Sequence, residues 1–436
     1  MALHRWLRAL SAGLLLCVSR PTLQAEDWPQ WRGAKRDGVW RETGIVDRLD
    51  GDRLKPVWSV PVGPGYSGPT VAEGRVYVTD RQTEPNQQER VHCFDEKTGE
   101  SIWSYAYDCV YENVGYEAGP RASVTVEGGR AYALGSMGYL HVFDAATGKL
   151  LWHKRLNEVY QIEMPIWGIA AAPLIHEGKV ILHIGGRPDA CLVALDVQTG
   201  DEAWRALDDR ASYSSPILIE QAGQQVLACW TGDHVAGVNP RTGAVLWKSP
   251  MPPRNMVIGV ATPVVEDDHL FVTSFYDGSK MMRFSRDALR AEEEWREQGE
   301  SEQKTRALHS IISTPLFRRG YLYGVDSYGE LRCLDARDGR RVWENQTATP
   351  RARWSNIHIV LHEEQAWLFN ERGELIIAEL SPEGYREISR AKLIEPTTNQ
   401  LDRRGQGVTW AHPAFANRHV FARSDKELVR VSLEAP

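Results

Sequence analysis

The chain has 436 residues, 42% of them hydrophobic and 25% charged, with a formal net charge of −7. That is ordinary globular material, long enough for several domains or one large repeat architecture, and its acidic balance offers no basic footprint for nucleic acid. A mean hydropathy of −0.41 and the lack of any apolar run of 18 residues exclude a membrane-spanning helix from the sequence pattern.

In chain order, residues 1–25 read as an export signal. Arg5 and Arg8 form a basic start, the stretch from Ala9 to Val18 is a short apolar core, and Ala25 offers a small residue for cleavage. Cys17 follows Leu16, where a lipid-attachment box wants a small residue, so no lipid anchor is expected. Residues 26–53, opening "EDWPQWRG", read as an N-terminal extended segment. The expected location is therefore periplasmic or extracellular.

From residue 54 the chain becomes periodic. Trp58, Trp103, Trp152, Trp204, Trp247, Trp295 and Trp343 recur at spacings of 45, 49, 52, 43, 48 and 48, and Ile388 takes the same place 45 residues later. Each interval holds a small-residue and proline lead-in, two alternating strands, a tight turn and a short strand ending near tryptophan. Four short strands per unit of this length predict a blade of a β-propeller, and period-2 alternation excludes a helical solenoid. Eight such positions predict an all-β, eight-bladed propeller over 54–436. The third-strand match at Glu427–Leu433 lacks a following turn, and Leu54–Val60 supplies the missing fourth strand. The two termini are thus expected to share one blade and close the ring.

The turn phrase repeats as Asp95, Gly99 and Trp103; Asp144, Gly148 and Trp152; Asp196, Gly200 and Trp204; Asn239, Gly243 and Trp247; and Asp335, Gly339 and Trp343. Its aspartate or asparagine can accept from backbone N–H groups two and three residues on. Its glycine suits a left-handed position beside a bulge, and its tryptophan is a broad surface for packing between blades. Two units depart from the phrase. The run Arg286 to Arg306 is densely charged with helix-compatible residues, and is expected as a solvated surface excursion. The seventh unit has Leu380 for the aspartate and Ile388 for the tryptophan. Five cysteines follow the signal; Cys93 and Cys333 share a strand position expected to be buried, so structural roles are expected.

Five copies of the phrase D-x-x-T-G-x-x-x-W, with Asn239 for the aspartate in one and Asp338 for the threonine in another, resemble the repeat of the pyrroloquinoline-quinone (PQQ) propellers, and "DWPQWRGAKRDGVW" is similar to the start of exported bacterial members. The resemblance implies one of two roles. In the quinoprotein alcohol and sugar dehydrogenases, the quinone sits near the axis with calcium and a catalytic aspartate, commonly beside a vicinal cysteine pair. No two cysteines are adjacent here, and no oxygen-rich cluster suited to calcium stands at the blade lead-ins. The other branch is BamB-like and non-catalytic, a docking surface without quinone. That branch is the expectation: no cofactor, no metal and no catalytic residue. PQQ and calcium belong to the dehydrogenase alternative alone, and a polysaccharide-binding accessory role is a third.

A propeller's ligands usually sit at the axis near the innermost strands. Pro69, Pro173, Pro216, Pro263, Pro315 and Pro413, with Val124 and Ile359 by alignment, give the lead-ins a common register. Positions three and six before it supply the candidate funnel: Tyr66, Arg121, Trp167, Tyr213, His309, Arg353, Asn356 and Trp410. Such a lining could stack on a planar or carbohydrate-like ligand and pair with an anion; the plainer reading is that these residues fill the channel. His309 has no identified catalytic partner, and no H-E-x-x-H, P-loop or G-x-S-x-G occurs. The expected partner is an envelope protein or a small-molecule or carbohydrate ligand at funnel or rim, with the propeller monomeric.

Overall fold

The computed structural model describes residues 26–397 and 407–436. The proposed signal segment and Cys17 lie outside the described residues. Eight antiparallel sheets follow one another along the chain, at 70–108, 125–155, 174–206, 217–250, 264–297, 316–345, 357–392 and 414–432. These are blades 1 to 8 of an eight-bladed β-propeller. The only helix among the described residues is Leu156–Tyr160, and none is long and apolar enough to cross a membrane. Blade 8 takes its outermost strand from the other end of the chain: Pro56–Pro61 pairs antiparallel with Glu427–Ser432. This closes the ring as the two half-units in the sequence imply.

The turn phrase works as hydrogen-bond chemistry. Asp144 Oδ1 accepts from Thr147 N at 2.9 Å and Thr147 Oγ1 at 2.7 Å, and Gly148 N donates to Asp144 O. Gly148 has φ +71°, and the strand register slips between Leu150 and Trp152, the bulge that such a turn produces. The indole of Trp103, one blade earlier, lies over that glycine and donates to Ala145 O at 3.0 Å. Trp58, Trp152, Trp204 and Trp295 repeat this contact on Glu96, Val197, Pro240 and Ala336. Asn239 serves as the aspartates do, accepting from Arg241 and Thr242 N.

Blade 5 lacks the turn phrase, and the fold compensates. Trp247 donates instead to Gln221 Oε1 at 2.8 Å, and the same amide donates to Ala288 O and Arg290 O. One glutamine thereby relays the missing turn. The charged run expected as a surface excursion is corrected here: Ala291–Glu297 is the outer strand of blade 5, paired with Gly278–Phe284. The register slips between Glu293 and Trp295, a bulge that interrupts the alternation, and Glu292, Glu293 and Glu294 are exposed while Trp295 is half-buried. All five described cysteines are buried and unpaired.

Residues 26–53 do more than lead into the ring. Trp28 bridges to Val71 in blade 1, Pro29 O accepts from Val126 N in blade 2, and Val39–Trp40 adds a parallel fifth strand to blade 7. Between these anchors, Arg36 drives its guanidinium among the carbonyls of Ala172, Pro173 and Pro216. Trp31 Nε1 donates to Thr262 Oγ1 at 2.7 Å in the lead-in of blade 5. The segment thus crosses the axial channel and seals it. Arg36 is 6% exposed, and carbonyl oxygens offset its desolvation.

Candidate functional site

Around the axis, the inner strands are laced together by small hydroxyl residues. Thr70 Oγ1 donates to Val124 O, Thr125 Oγ1 to Pro173 O and Ser214 Oγ to Ala261 O. These bonds fix the lead-ins at one height. The lead-ins are extended, so alternate residues face the axis. Position one before the register gives Ser123, Ala172, Ser215, His358 and His412; position three gives Tyr66, Arg121, Ala170, Tyr213, Val260, Ile312 and Trp410. With Trp31 beneath, they enclose a cavity of about 140 Å³ to which all eight blades contribute.

Of the residues singled out in the sequence, Tyr66, Arg121, Trp167, Tyr213 and Trp410 converge on this cavity. His309, Arg353 and Asn356 contribute no lining, which corrects the funnel assignment for these three. His309 and Arg353 stand six before the register and have the wrong parity. His309 Nδ1 donates to Phe275 O and its Nε2 accepts from Gly299 N, a neutral imidazole bracing a loop. Arg353 makes a paired contact with Glu302 at 2.7 and 2.8 Å. Asn356 keeps the parity but is fully buried. Trp167 also stands six before, yet faces the cavity because Gly168, with φ +69°, turns the chain between it and Ala170.

The sequence register missed Trp31, Tyr116, Trp354 and the two histidines. Trp354 is five before the register and sits in a turn, with φ +71°, so its place in the lining does not follow from the alternation. The parity of the lead-ins is the signal that finds His358 and His412. Tyr116 belongs to a loop between blades 1 and 2, and no register reaches it. Its ring stands edge-on to Trp167, Trp354 and Trp410 at 5.8, 5.7 and 5.7 Å. Arg121 fixes that loop. Its terminal nitrogens donate to the carbonyls of Gly115, Tyr116 and Gly119 and to Ser136 Oγ, while its guanidinium lies 5.1 Å from the Tyr66 ring centre. Trp167 stacks on Tyr213 at 5.1 Å.

Among the described residues, the lining is uncharged apart from Arg121. Burial lowers His358 to about 4 and His412 to about 3, the latter helped by its histidine neighbour. Both are neutral near pH 7. His358 Nε2 donates to Trp410 O at 2.8 Å; His412 Nδ1 donates to Pro413 O, leaving Nε2 to accept from Ser123 Oγ at 2.6 Å. Burial pushes the Tyr213 hydroxyl up to about 12. Among the described residues, no carboxylate or side-chain amide lines the cavity, and no three His, Cys, Asp or Glu converge to hold a metal. Calcium requires a cage of six to eight oxygens, and the carboxylates of a PQQ molecule would meet one arginine with its terminal N–H groups already spent. The residues present do not fit a quinone–calcium pair.

Fold and site together define an eight-bladed propeller with an aromatic axial cavity. The profile of the family described as outer membrane protein assembly factor BamB matches residues 42–114, 87–345 and 296–434, and the chain belongs to that family of PQQ-like propellers. BamB of Shewanella oneidensis is 24% identical over 226 residues, 51% of this chain and 56% of that protein. A quinohemoprotein alcohol dehydrogenase of Comamonas testosteroni is 30% identical over 158 residues, 35% of this chain and 21% of the enzyme. The matches thus span about half of one curated relative and a fifth of the other. The crystal structure of BamB from Moraxella catarrhalis superposes with a TM-score of 0.60 at 16% identity, covering 88% of this chain and 98% of that one.

Proposed function

We propose that the chain is a non-catalytic, BamB-like propeller of the bacterial cell envelope, binding a protein partner or a small ligand through the axial cavity or the rim around it. The observation that carries this reading is the composition of the cavity. Aromatic rings and neutral histidines surround it, with no carboxylate among the described residues to bind calcium or serve as a base. Substrate oxidation at a quinone needs such groups, whereas binding needs shape and apolar surface, which a ring held by eight sheets supplies rigidly. Family membership agrees with this, since the matching profile is described by an assembly factor. The dehydrogenase reading draws on the likeness to the Comamonas enzyme, and the donor set weighs against it. A carbohydrate-binding role draws on the aromatic walls alone.

The full chain, mixed with PQQ and calcium and supplied with short alcohols and an electron-accepting dye, tests the proposal. Dye reduction no faster than the protein-free control is expected. Turnover that depends on both PQQ and calcium would overturn it.

A further inference from the structure

Resting on the reading of the axial cavity as a binding site, we infer that it takes a single neutral, apolar aromatic ring, and that Tyr116 sets this size limit. The cavity of about 140 Å³ matches apolar protein cavities that take up one benzene-like molecule. Polar groups on its walls bond to one another or to the backbone. Ser123 Oγ donates to His412 Nε2, Ser215 Oγ accepts from Ala172 N, and the Tyr213 hydroxyl accepts from Trp167 N. These groups make no call on a ligand, and the hydroxyls of a sugar would lose water here without replacement.

Charge is disfavoured too. Among the described residues, Arg121 carries the one charge on the walls. It repels a cation, and an anion would have to compete for its N–H groups with the carbonyls of Gly115, Tyr116 and Gly119. The rings favour a flat partner, because ring-on-ring contact adds to the gain from buried area. Trp167 stacks on Tyr213, and Tyr66 lies nearly parallel to Trp410 at 6.2 Å. Room runs out at Tyr116. Trp167 leads into blade 3 and Trp354 into blade 7, on opposite sides of a ring of eight, yet their rings meet edge-on at 5.9 Å. Tyr116 packs against both of them and against Trp410, so one aromatic cluster spans the axis. The backbone beneath its ring is pinned separately, by Arg121 on the Tyr116 carbonyl and by Gly115 N donating to Ile166 O at 2.6 Å. Removing the ring therefore opens space beside the cavity without releasing the loop.

Calorimetric titration of the full chain with small probes, and equilibrium dialysis for the sparingly soluble ones, tests this. Toluene should bind saturably with 1:1 stoichiometry. Methylcyclohexane, apolar but not flat, should bind about 5-fold more weakly, the worth of ring-on-ring contact. Benzoate, phenyltrimethylammonium and methyl glucoside should not bind. Biphenyl, with two rings, should not bind the wild-type chain but should bind Tyr116→Ala saturably at 1:1, a gain that loss of folding cannot produce. Methylcyclohexane binding as tightly as toluene, binding of a charged probe or the glucoside, biphenyl bound equally by both chains, no biphenyl bound by the folded variant, or no toluene bound by the folded wild-type chain would each overturn the inference. All of these leave the non-catalytic reading standing, because only quinone- and calcium-dependent dye reduction removes that.

Discussion

At the scale of single residues, the glycine of the turn phrase is held by two constraints. A Cβ on Gly148 would stand 2.6 Å from the Trp103 ring, and its φ of +71° disfavours any other residue. Gly148→Ala should cost about 2–3 kcal/mol in denaturant titration, combining left-handed strain with overpacking. Gly128, with φ +59° and open space around it, bears only the strain, so Gly128→Ala should cost about 1 kcal/mol. The axial histidines give a pH signature. Burial holds His358 at about 4 and His412 at about 3, below the ordinary 6.5, so acid protonates the unfolded chain first. Their contribution to stability is complete above about 6.5 and drains as pH falls toward 4 and then 3. The denaturation midpoint should drop between pH 7 and pH 5, and the drop should shrink in a His358→Gln, His412→Gln double variant.

At the scale of elements, the N-terminal segment is the piece whose role departs furthest from its appearance in the sequence. Written out, "EDWPQWRG" is polar and irregular, with no periodicity to mark it as packed. In space, Trp31 floors the cavity and Arg36 holds the carbonyls of two adjacent blades. Trp31→Ala should destabilise the fold by about 3 kcal/mol and speed amide exchange in the inner strands of blades 3 to 5, measured by mass spectrometry. Unchanged exchange there would show that the segment rests on the ring without sealing it. The blades themselves were legible because each repeats one local chemistry: cap, left-handed glycine, then tryptophan. Blade 5 was read less well because Gln221 replaces a turn through a contact 67 residues away in sequence, which no local pattern reveals. Its charged outer strand has too few buried positions to show alternation.

At the scale of the whole molecule, eight repeats and two half-units at the ends were enough to specify the ring and its closure. The site was legible only in part. The residues three before the proline register mostly line the cavity. Taking six as the next step broke the alternation of an extended chain and brought in His309 and Arg353, and Trp354 was passed over because it enters the lining from a left-handed turn that the register does not describe. Tyr116 and Trp31 arrive from loops that the repeat does not govern, and only the closed ring brings them to the axis.

The central claim is that this axis is a binding site that does not use quinone–calcium chemistry. Equilibrium titration of the full chain with PQQ, with calcium and with a chelator in its place, tests that most directly. The account predicts no saturable, calcium-dependent association. A 1:1 complex that forms with calcium and is lost on chelation would contradict it.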